Sequence, residues 1–346
     1  LADCRQGIYS TRRSPALLVT HTVAITGAGG FIGAQAARRY AAMGWQVRGL
    51  DLPGISQPHV HETLTGNITD PDALAQLVNG ADLVLHTAAI VAESGDWSAF
   101  HQINAVAPAL AATAAKTAGV HSFVHLSSVM VHGFDYPDGS AEDAAFDAAD
   151  NPYCWSKVMA EHALRGLDDP GNFNVHIIRP GDVYGPGSVP WVVRPIQHMH
   201  KRTFLYVDPR SSVINHVYID NLLEAIDAVV AAGDAVSGQA FIITDGQRTL
   251  ARDYFGWFAE QVGSQRHIAL PGWLAESIVG GLAAALPKKW AQSLDLDRQS
   301  IRYLRRRGVF DVSRIRALGW APRVDLNHGR ELTAAWLRDQ QLLPVG

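Results

Sequence analysis

Cysteine is almost missing from this chain. The two present, Cys4 and Cys154, lie in regions with no reason to meet. A disulfide-braced secreted scaffold is excluded, and a reducing, cytoplasmic setting is expected. Cys154 has no His/Asp arrangement in sequence that would make it a nucleophile, and it is read as packing. Long apolar runs are missing too, since none reaches the roughly 18–20 residues that a membrane-spanning helix needs. The nearest, residues 273–286, is bracketed by Pro271 and Pro287 and interrupted by Glu276, which suits a buried or interfacial helix. There is no cationic excess: 29 Lys and Arg stand against 33 Asp and Glu, a formal net charge of −4, so nothing points to nucleic acid. The one local cluster, Arg302-Tyr303-Leu304-Arg305-Arg306-Arg307, reads as a solvated last helical turn with cations near its carbonyls. Repeats and low-complexity segments are absent. The fifteen histidines are scattered, with His198-Met199-His200 read as a helix end, and no metal site is expected. Residues 1–20 carry Arg5, Arg12 and Arg13 but no apolar core of a secretory signal. They are read as a loosely held extension, or as residues from an early start.

What the chain has is a glycine turn in an informative place. The apolar run Val23-Ala24-Ile25-Thr26 passes at once into Gly27-Ala28-Gly29-Gly30-Phe31-Ile32-Gly33, and a helical pattern then continues to Met43. Strand, glycine turn and helix together form a pyrophosphate cradle. The glycines allow a sharp turn and close approach, and the helix N-terminus offers free N–H groups to phosphates. The next strand, residues 46–50, ends in Asp51. An acidic residue about twenty positions after the glycines grips a ribose 2′-hydroxyl and repels a 2′-phosphate. With no Arg in Leu52-Pro53-Gly54, the expected cofactor is NAD rather than NADP. A strand-end Asp facing solvent is the plainer alternative.

A third strand ends at Gly66-Asn67-Ile68, and Asp70 is placed to cap a helix that starts at Pro71. Strand 81–86 leads into Thr87-Ala88-Ala89, and a helix is expected over 98–118, carrying Asn104. Strands and helices alternate up to residue 185, which predicts a doubly wound parallel sheet with helices on both faces, an α/β Rossmann architecture. Beyond that the rhythm breaks into short apolar strands at 204–207, 212–217 and 240–244, with Trp-rich helices between. The expected division is an extension at 1–20, an NAD-binding core at 21–185 that also receives about 212–245, and a smaller, interleaved substrate lobe over 186–346.

Tyr153 and Lys157 lie one turn apart on a helix predicted over 152–166, with Asn151 as its cap and Pro152 first. A strand at 122–126 ends at Ser127 and Ser128. A phenol, an ammonium and a hydroxyl at the mouth of a sheet can move a proton to or from a carbonyl oxygen. Tyr-x-x-x-Lys alone occurs by chance in many helices; the cofactor turn is what gives it weight.

Taken in order, these stretches resemble the extended short-chain dehydrogenase/reductases over roughly residues 20–340, most closely the 3β-hydroxysteroid dehydrogenase-like branch. The likeness rests on Gly-x-x-Gly-x-x-Gly at Gly27, Gly30 and Gly33, on His-x-Ala-Ala at 86–89, and on Arg-Pro-x-x-Val-Tyr-Gly-Pro at 179–186. A closing Asp311-Val312-Ser313…Leu318-Gly319-Trp320-x-Pro322 adds to it. The resemblance implies Tyr153 as acid/base, Lys157 as its partner, and Ser128, five residues before Gly133, as the third member. Asn104 takes a supporting role. For NAD it implies Gly27, Gly30, Phe31, Ile32, Gly33, Asp51, Asn67, Ile68, Thr87, Ala88, Ala89, Tyr153, Lys157, Pro180, Gly181 and Val183. The family usually has Asp where Asn67 stands, and the Asn carbonyl oxygen still suits an adenine amine.

Ser127, Val129, Tyr184, Trp191 and Ile214 are expected to line the substrate pocket. Nucleotide-sugar members commonly carry an Arg where this chain has Ile214, to neutralise the diphosphate; Arg194 or Arg210 could compensate. With Trp191, Trp257, Trp273, Trp290 and the apolar 274–286 stretch, this favours an apolar, sterol-like or alicyclic alcohol/ketone turned over with NAD. A nucleotide-sugar epimerase or dehydratase with tightly bound NAD is the rival. A non-catalytic NAD-binding scaffold is disfavoured by the intact Ser-Tyr-Lys set. By analogy with the family, helices 98–118 and 152–166 are expected to form a homodimer contact.

Overall fold

The computed structural model describes residues 21–92, 95–148, 150–263, 268–285 and 298–343; the N-terminal extension, Cys4 and Trp290 lie outside them. The chain runs β1 (Thr22–Thr26), α1 (Phe31–Ala42), β2 (Gln46–Asp51), β3 (Glu62–Thr65), α2 (Pro71–Val78) and β4 (Leu83–His86). Then come α3 (Trp97–Phe100), α4 (Ala107–Thr117), β5 (Ser122–Leu126), α5 (Pro152–Arg165), β6 (Asn174–Pro180) and β7 (Asp182–Tyr184). The second half continues with α6 (Arg194–His200), β8 (Leu205–Val207), β9 (Val213–Ile214), β10 (His216–Tyr218), α7 (Ile219–Ala232) and β11 (Ala240–Ile243). It ends with β12 (Thr249–Leu250), α8 (Ala251–Val262), β13 (Ile268–Leu270), α9 (Gly272–Ala285), α10 (Arg298–Leu304), α11 (Ser313–Arg316) and α12 (Leu326–Asp339).

Among the described residues the main sheet has seven strands in the order β11-β6-β5-β4-β1-β2-β3, all parallel. Its inner strands β4, β5 and β6 are buried along their whole length, as expected where both faces are covered, while the edge strand β3 is largely exposed. The period of two then sorts side chains between two cores. Val23, Ile25, Leu85 and Val124 face one, while Ala24, Val84 and Phe123 face the other. The strand order reverses between β1 and β4, and that crevice is where an open α/β sheet takes its ligand.

Local signals place the helices that matter. Asn151 accepts from the Cys154 N–H at 3.0 Å to cap α5, and Asp70 caps α2 from the Asp72 N–H. The helix expected over 98–118 is not continuous. It starts at α3, capped by Asp96, widens into a π-helical stretch at His101–Val106, and resumes as α4. Asn104, fully buried in the wide turn, binds both the N–H and the C=O of Ile90 at 2.8 and 2.9 Å. A tertiary hydrogen bond to the loop after β4 thus sits at the break in the helical ladder.

The later elements form a smaller lobe. The strand expected over 212–217 is split into β9 and β10, which pair with β12 and β7 respectively. β8 pairs with β13, and α9 and α10 close over it through Val207, Ala275 and Ile301. Among the described residues no helix is long and apolar enough to cross a membrane.

Candidate active site

The crevice at the switch point is shaped by backbone. Gly27 adopts φ +68°, and a Cβ there would lie 2.8 Å from the Ala88 Cα; one on Gly33 would lie 2.1 Å from the Gly27 carbonyl oxygen. The turn after β1 therefore packs directly on the Thr87-Ala88-Ala89 turn after β4, and only glycine fits. The Thr87 hydroxyl donates to the Thr26 carbonyl at 2.7 Å, joining the two strand ends. No side chain caps α1, so its first-turn N–H groups lack a side-chain acceptor. Asp51 accepts from the Gly29 N–H and the Leu52 N–H, both at 2.8 Å, which sets a carboxylate at the rim of the turn. A tight cradle, unfilled amides and a rim carboxylate fit a dinucleotide. Asn67 is exposed, with its carbonyl oxygen accepting from the Thr69 N–H at 3.0 Å, and Ile68 beside it is buried.

Opposite, β5 ends at Ser127 and Ser128, and α5 brings Tyr153 and Lys157 to the same edge. Lys157 is buried, and its ammonium donates to the Leu126 carbonyl at 2.7 Å while lying 5.8 Å from the Tyr153 ring centroid. Burial pulls the Lys157 ammonium down to a pKa of about 8, an effect that Glu161 one turn along partly opposes. Ser128 begins a short 3-10 turn, and its oxygen accepts from the Met130 N–H at 3.2 Å. Its O–H remains a donor.

Ser127 and Ser128 part company. The Ser127 hydroxyl donates to Glu161 at 2.6 Å, within a buried network in which Arg179 grips both Glu161 oxygens at 2.8 and 2.6 Å. Burial alone would raise the Glu161 carboxyl, but the Arg179 hydrogen bonds and charge outweigh it and hold the pKa below its ordinary value. Arg179 also reaches the Glu142 carbonyl and His132. Ser127 therefore belongs to this network. The sequence offered one signal for it: Glu161 follows Lys157 at i+4, on the same helix face.

Several residues expected in the substrate pocket are buried. Tyr184 is fully buried against Tyr218, Tyr254 and His216, and Ile214, 1 % exposed, belongs to the main core through the β9–β12 pairing. Ile214 thus packs among core residues. Val129 is buried in the 3-10 turn beside Ser128. Trp191 does line a cavity, of about 130 Å3, with Phe204, Leu205, Val207, Phe255 and Tyr303. Of the other tryptophans expected there, Trp257 packs beside Arg330 and Trp273 is exposed. Tyr303 joins the cavity to the catalytic edge, because it and Tyr153 both pack on the Met130–Phe134–Cys154 cluster. Cys154 is fully buried, as expected, and burial raises its thiol pKa to about 12.

The turn after β6 is held from the far end of the chain. Asp182, between Gly181 and Val183, receives Arg306 on both oxygens at 3.0 and 2.9 Å and the Tyr303 hydroxyl at 2.7 Å. Arg306 is 1 % exposed, so the arginine cluster is not the solvated helix end that its sequence suggested.

Fold and cradle define an NAD-dependent oxidoreductase of the extended short-chain dehydrogenase/reductase type. The sequence profile of the NAD dependent epimerase/dehydratase family matches residues 23–244, and the chain belongs to that family. It is 27 % identical over 259 residues to the 2-alkyl-3-oxoalkanoate reductase of Stenotrophomonas maltophilia (strain K279a), covering 70 % of this chain and 76 % of that one. It is 28 % identical over 242 residues to a 3 beta-hydroxysteroid dehydrogenase/Delta 5-->4-isomerase of Mycobacterium tuberculosis, covering 65 % of each. The fold is shared with the dTDP-glucose 4,6-dehydratase DesIV of Streptomyces venezuelae, solved with NAD and TYD bound. That likeness has a TM-score of 0.71 and 22 % identity, over 92 % of this chain and 98 % of the other.

Proposed function

We propose that this chain interconverts a secondary alcohol and a ketone on an apolar small molecule, with NAD as the redox partner. The observation that carries the reading is the junction at Tyr153. On one side lies the buried Lys157 ammonium, on the other a packed cluster leading through Tyr303 to a cavity walled by Trp191, Phe204 and Phe255. The relatives named as a 2-alkyl-3-oxoalkanoate reductase and a 3 beta-hydroxysteroid dehydrogenase both act on such groups, which supports it.

NAD supplies the acceptor for the hydride in oxidation, and NADH the donor in reduction. The residues do the rest. Gly27, Gly30, Phe31, Ile32 and Gly33 cradle the pyrophosphate, Asp51 takes the adenosine ribose hydroxyls, and Asn67 and Ile68 border the adenine. Thr87, Ala88, Ala89, Pro180, Gly181 and Val183 leave room for the nicotinamide half. A free phenol, with a pKa near 10, is a poor base at neutral pH. The Lys157 ammonium, close to the Tyr153 ring, favours the phenolate, so Tyr153 takes the alcohol proton in oxidation and returns it to the carbonyl oxygen in reduction. The Ser128 hydroxyl donates to that oxygen and fixes its position. Asn104 stiffens the floor by tying Ile90 to the wide helical turn. An alicyclic ring system burying about 300 Å2 gains several kcal/mol at ~25 cal/mol per Å2 from apolar walls alone.

The test is NADH production across sterols, alicyclic alcohols and UDP-sugars. Turnover of the apolar alcohols supports the reading. Activity confined to a UDP-sugar would replace it with the epimerase or dehydratase alternative.

A further inference from the structure

We infer that the substrate carries a carboxylate beside its apolar body, and that Arg302 holds it. This rests on the alcohol/ketone reading and narrows its substrate class to hydroxy and oxo acids. The helix α10 separates two cavities. Ser300, Tyr303 and Leu304 border the apolar one, while Arg302, and Arg305 and Arg307 just beyond the helix, border a second of about 560 Å3. Phe134 lines this second cavity and also belongs to the cluster on which Tyr153 packs, as Tyr303 does for the first.

The arginines of 302–307 differ sharply in what they touch. Arg306 is buried on Asp182. Arg305 is paired with Asp208 and with Glu276, one of two acidic residues of the cavity wall. Arg307 is largely exposed, 3.8 Å from Asp208. Arg302 is half-buried, and its guanidinium is held over the Phe134 ring at 5.1 Å. Among the described residues no carboxylate lies within ion-pair distance of it. Asp135, the remaining carboxylate of the wall, is exposed to water, where a charge is well solvated. Arg302 is therefore the arginine of this wall for which no carboxylate partner stands among the described residues. The planar fork of a guanidinium suits a carboxylate.

Calorimetric titration of the NADH-loaded enzyme with decanoate and with 1-decanol tests this. Exchange of Arg302→Gln is expected to weaken decanoate about ten- to a hundredfold, and at least tenfold more than decanol, since a charge-assisted pair is lost only with the acid. Arg302→Lys keeps the charge and should recover part of that selectivity, which also shows that the loss is not misfolding. Equal changes for the two ligands, no recovery in Arg302→Lys, or no binding of decanoate to the wild type would overturn the inference. A parallel assay of matched oxo acids and their methyl esters separates the two levels. Selective decanoate binding without reduction of any oxo acid sinks the reductase reading and leaves the anion site standing. Reduction of acid and ester alike does the reverse.

Discussion

Glu161 is the residue whose removal the structure makes most costly. It is fully buried, accepts from Ser127 at 2.6 Å, from Arg179 at 2.8 and 2.6 Å, and lies 3.2 Å from Arg165. Glu161→Gln leaves the Arg179 guanidinium, itself fully buried, ionised with no counter-charge. Breaking a buried pair from one side costs about 3–5 kcal/mol, against a total stability of ~5–15 kcal/mol for an ordinary protein. Urea unfolding of the cofactor-free protein, followed by tryptophan fluorescence, reads this directly. The double variant Glu161→Leu, Arg179→Met removes both charges and is expected to lose less than Glu161→Gln alone. A second readout ties the network to catalysis. Glu161 raises the Lys157 pKa, so without it the ammonium is lost below the present value of about 8. The alkaline limb of kcat/KM then moves to lower pH. An unfolding free energy within about 1 kcal/mol of wild type, together with an unmoved alkaline limb, would refute the reasoning.

Other expected outcomes follow from the same geometry. Tyr153→Phe abolishes turnover, about 10²–10⁴-fold or more, with NADH affinity nearly intact in fluorescence titration, because only the proton-transferring oxygen is lost. Asp51→Ala weakens NAD and narrows the gap to NADP; tighter NADP binding by the wild type would contradict the cofactor assignment. Ile214→Arg puts a charge into a core position and is expected to unfold the protein or cost more than about 3 kcal/mol; a stable variant with a lowered affinity for apolar substrate would place Ile214 in the pocket after all. The cofactor-free protein should lose stability in acid. Burial holds His86 and His176 neutral, at pKa values of about 3 and 4. Their contribution is complete above 6.5, the ordinary histidine value, and is lost as pH falls towards those values, at most roughly 3 kcal/mol each by pH 4. Flat stability between pH 7 and 4.5 would show that these imidazoles protonate in place. In the homodimer proposed through α3, α4 and α5, exchange of the exposed Trp97 and Met159 for charged residues should yield monomers in light scattering.

The dinucleotide turn and the Tyr–Lys helix were legible because their signals are local. Gly27 must take a positive φ, Asn151 caps through its own side chain, and Pro152 opens the first turn. What could not be read depended on partners far along the chain. An alanine-rich periodic run reads as one helix, and the π-helical break at His101–Val106 accompanies the bonds between Asn104 and Ile90. Nothing near Ser127 in the sequence shows that its hydroxyl is taken by Glu161, 34 residues on. A row of arginines looks solvated until Asp182, 124 residues away, buries Arg306. Position 214 carries the signal of a family motif, but the pairing of β9 with β12 decides where its side chain goes.

The most direct test of the central claim follows the hydrogen. An alicyclic secondary alcohol deuterated at its carbinol carbon should pass that deuterium to NAD, with deuterated NADH released into solution in step with ketone formation by the wild type and not by Tyr153→Phe. Inversion of a nucleotide-sugar hydroxyl, with the cofactor retained on the protein and no deuterium appearing in free NADH from any alcohol, would contradict it.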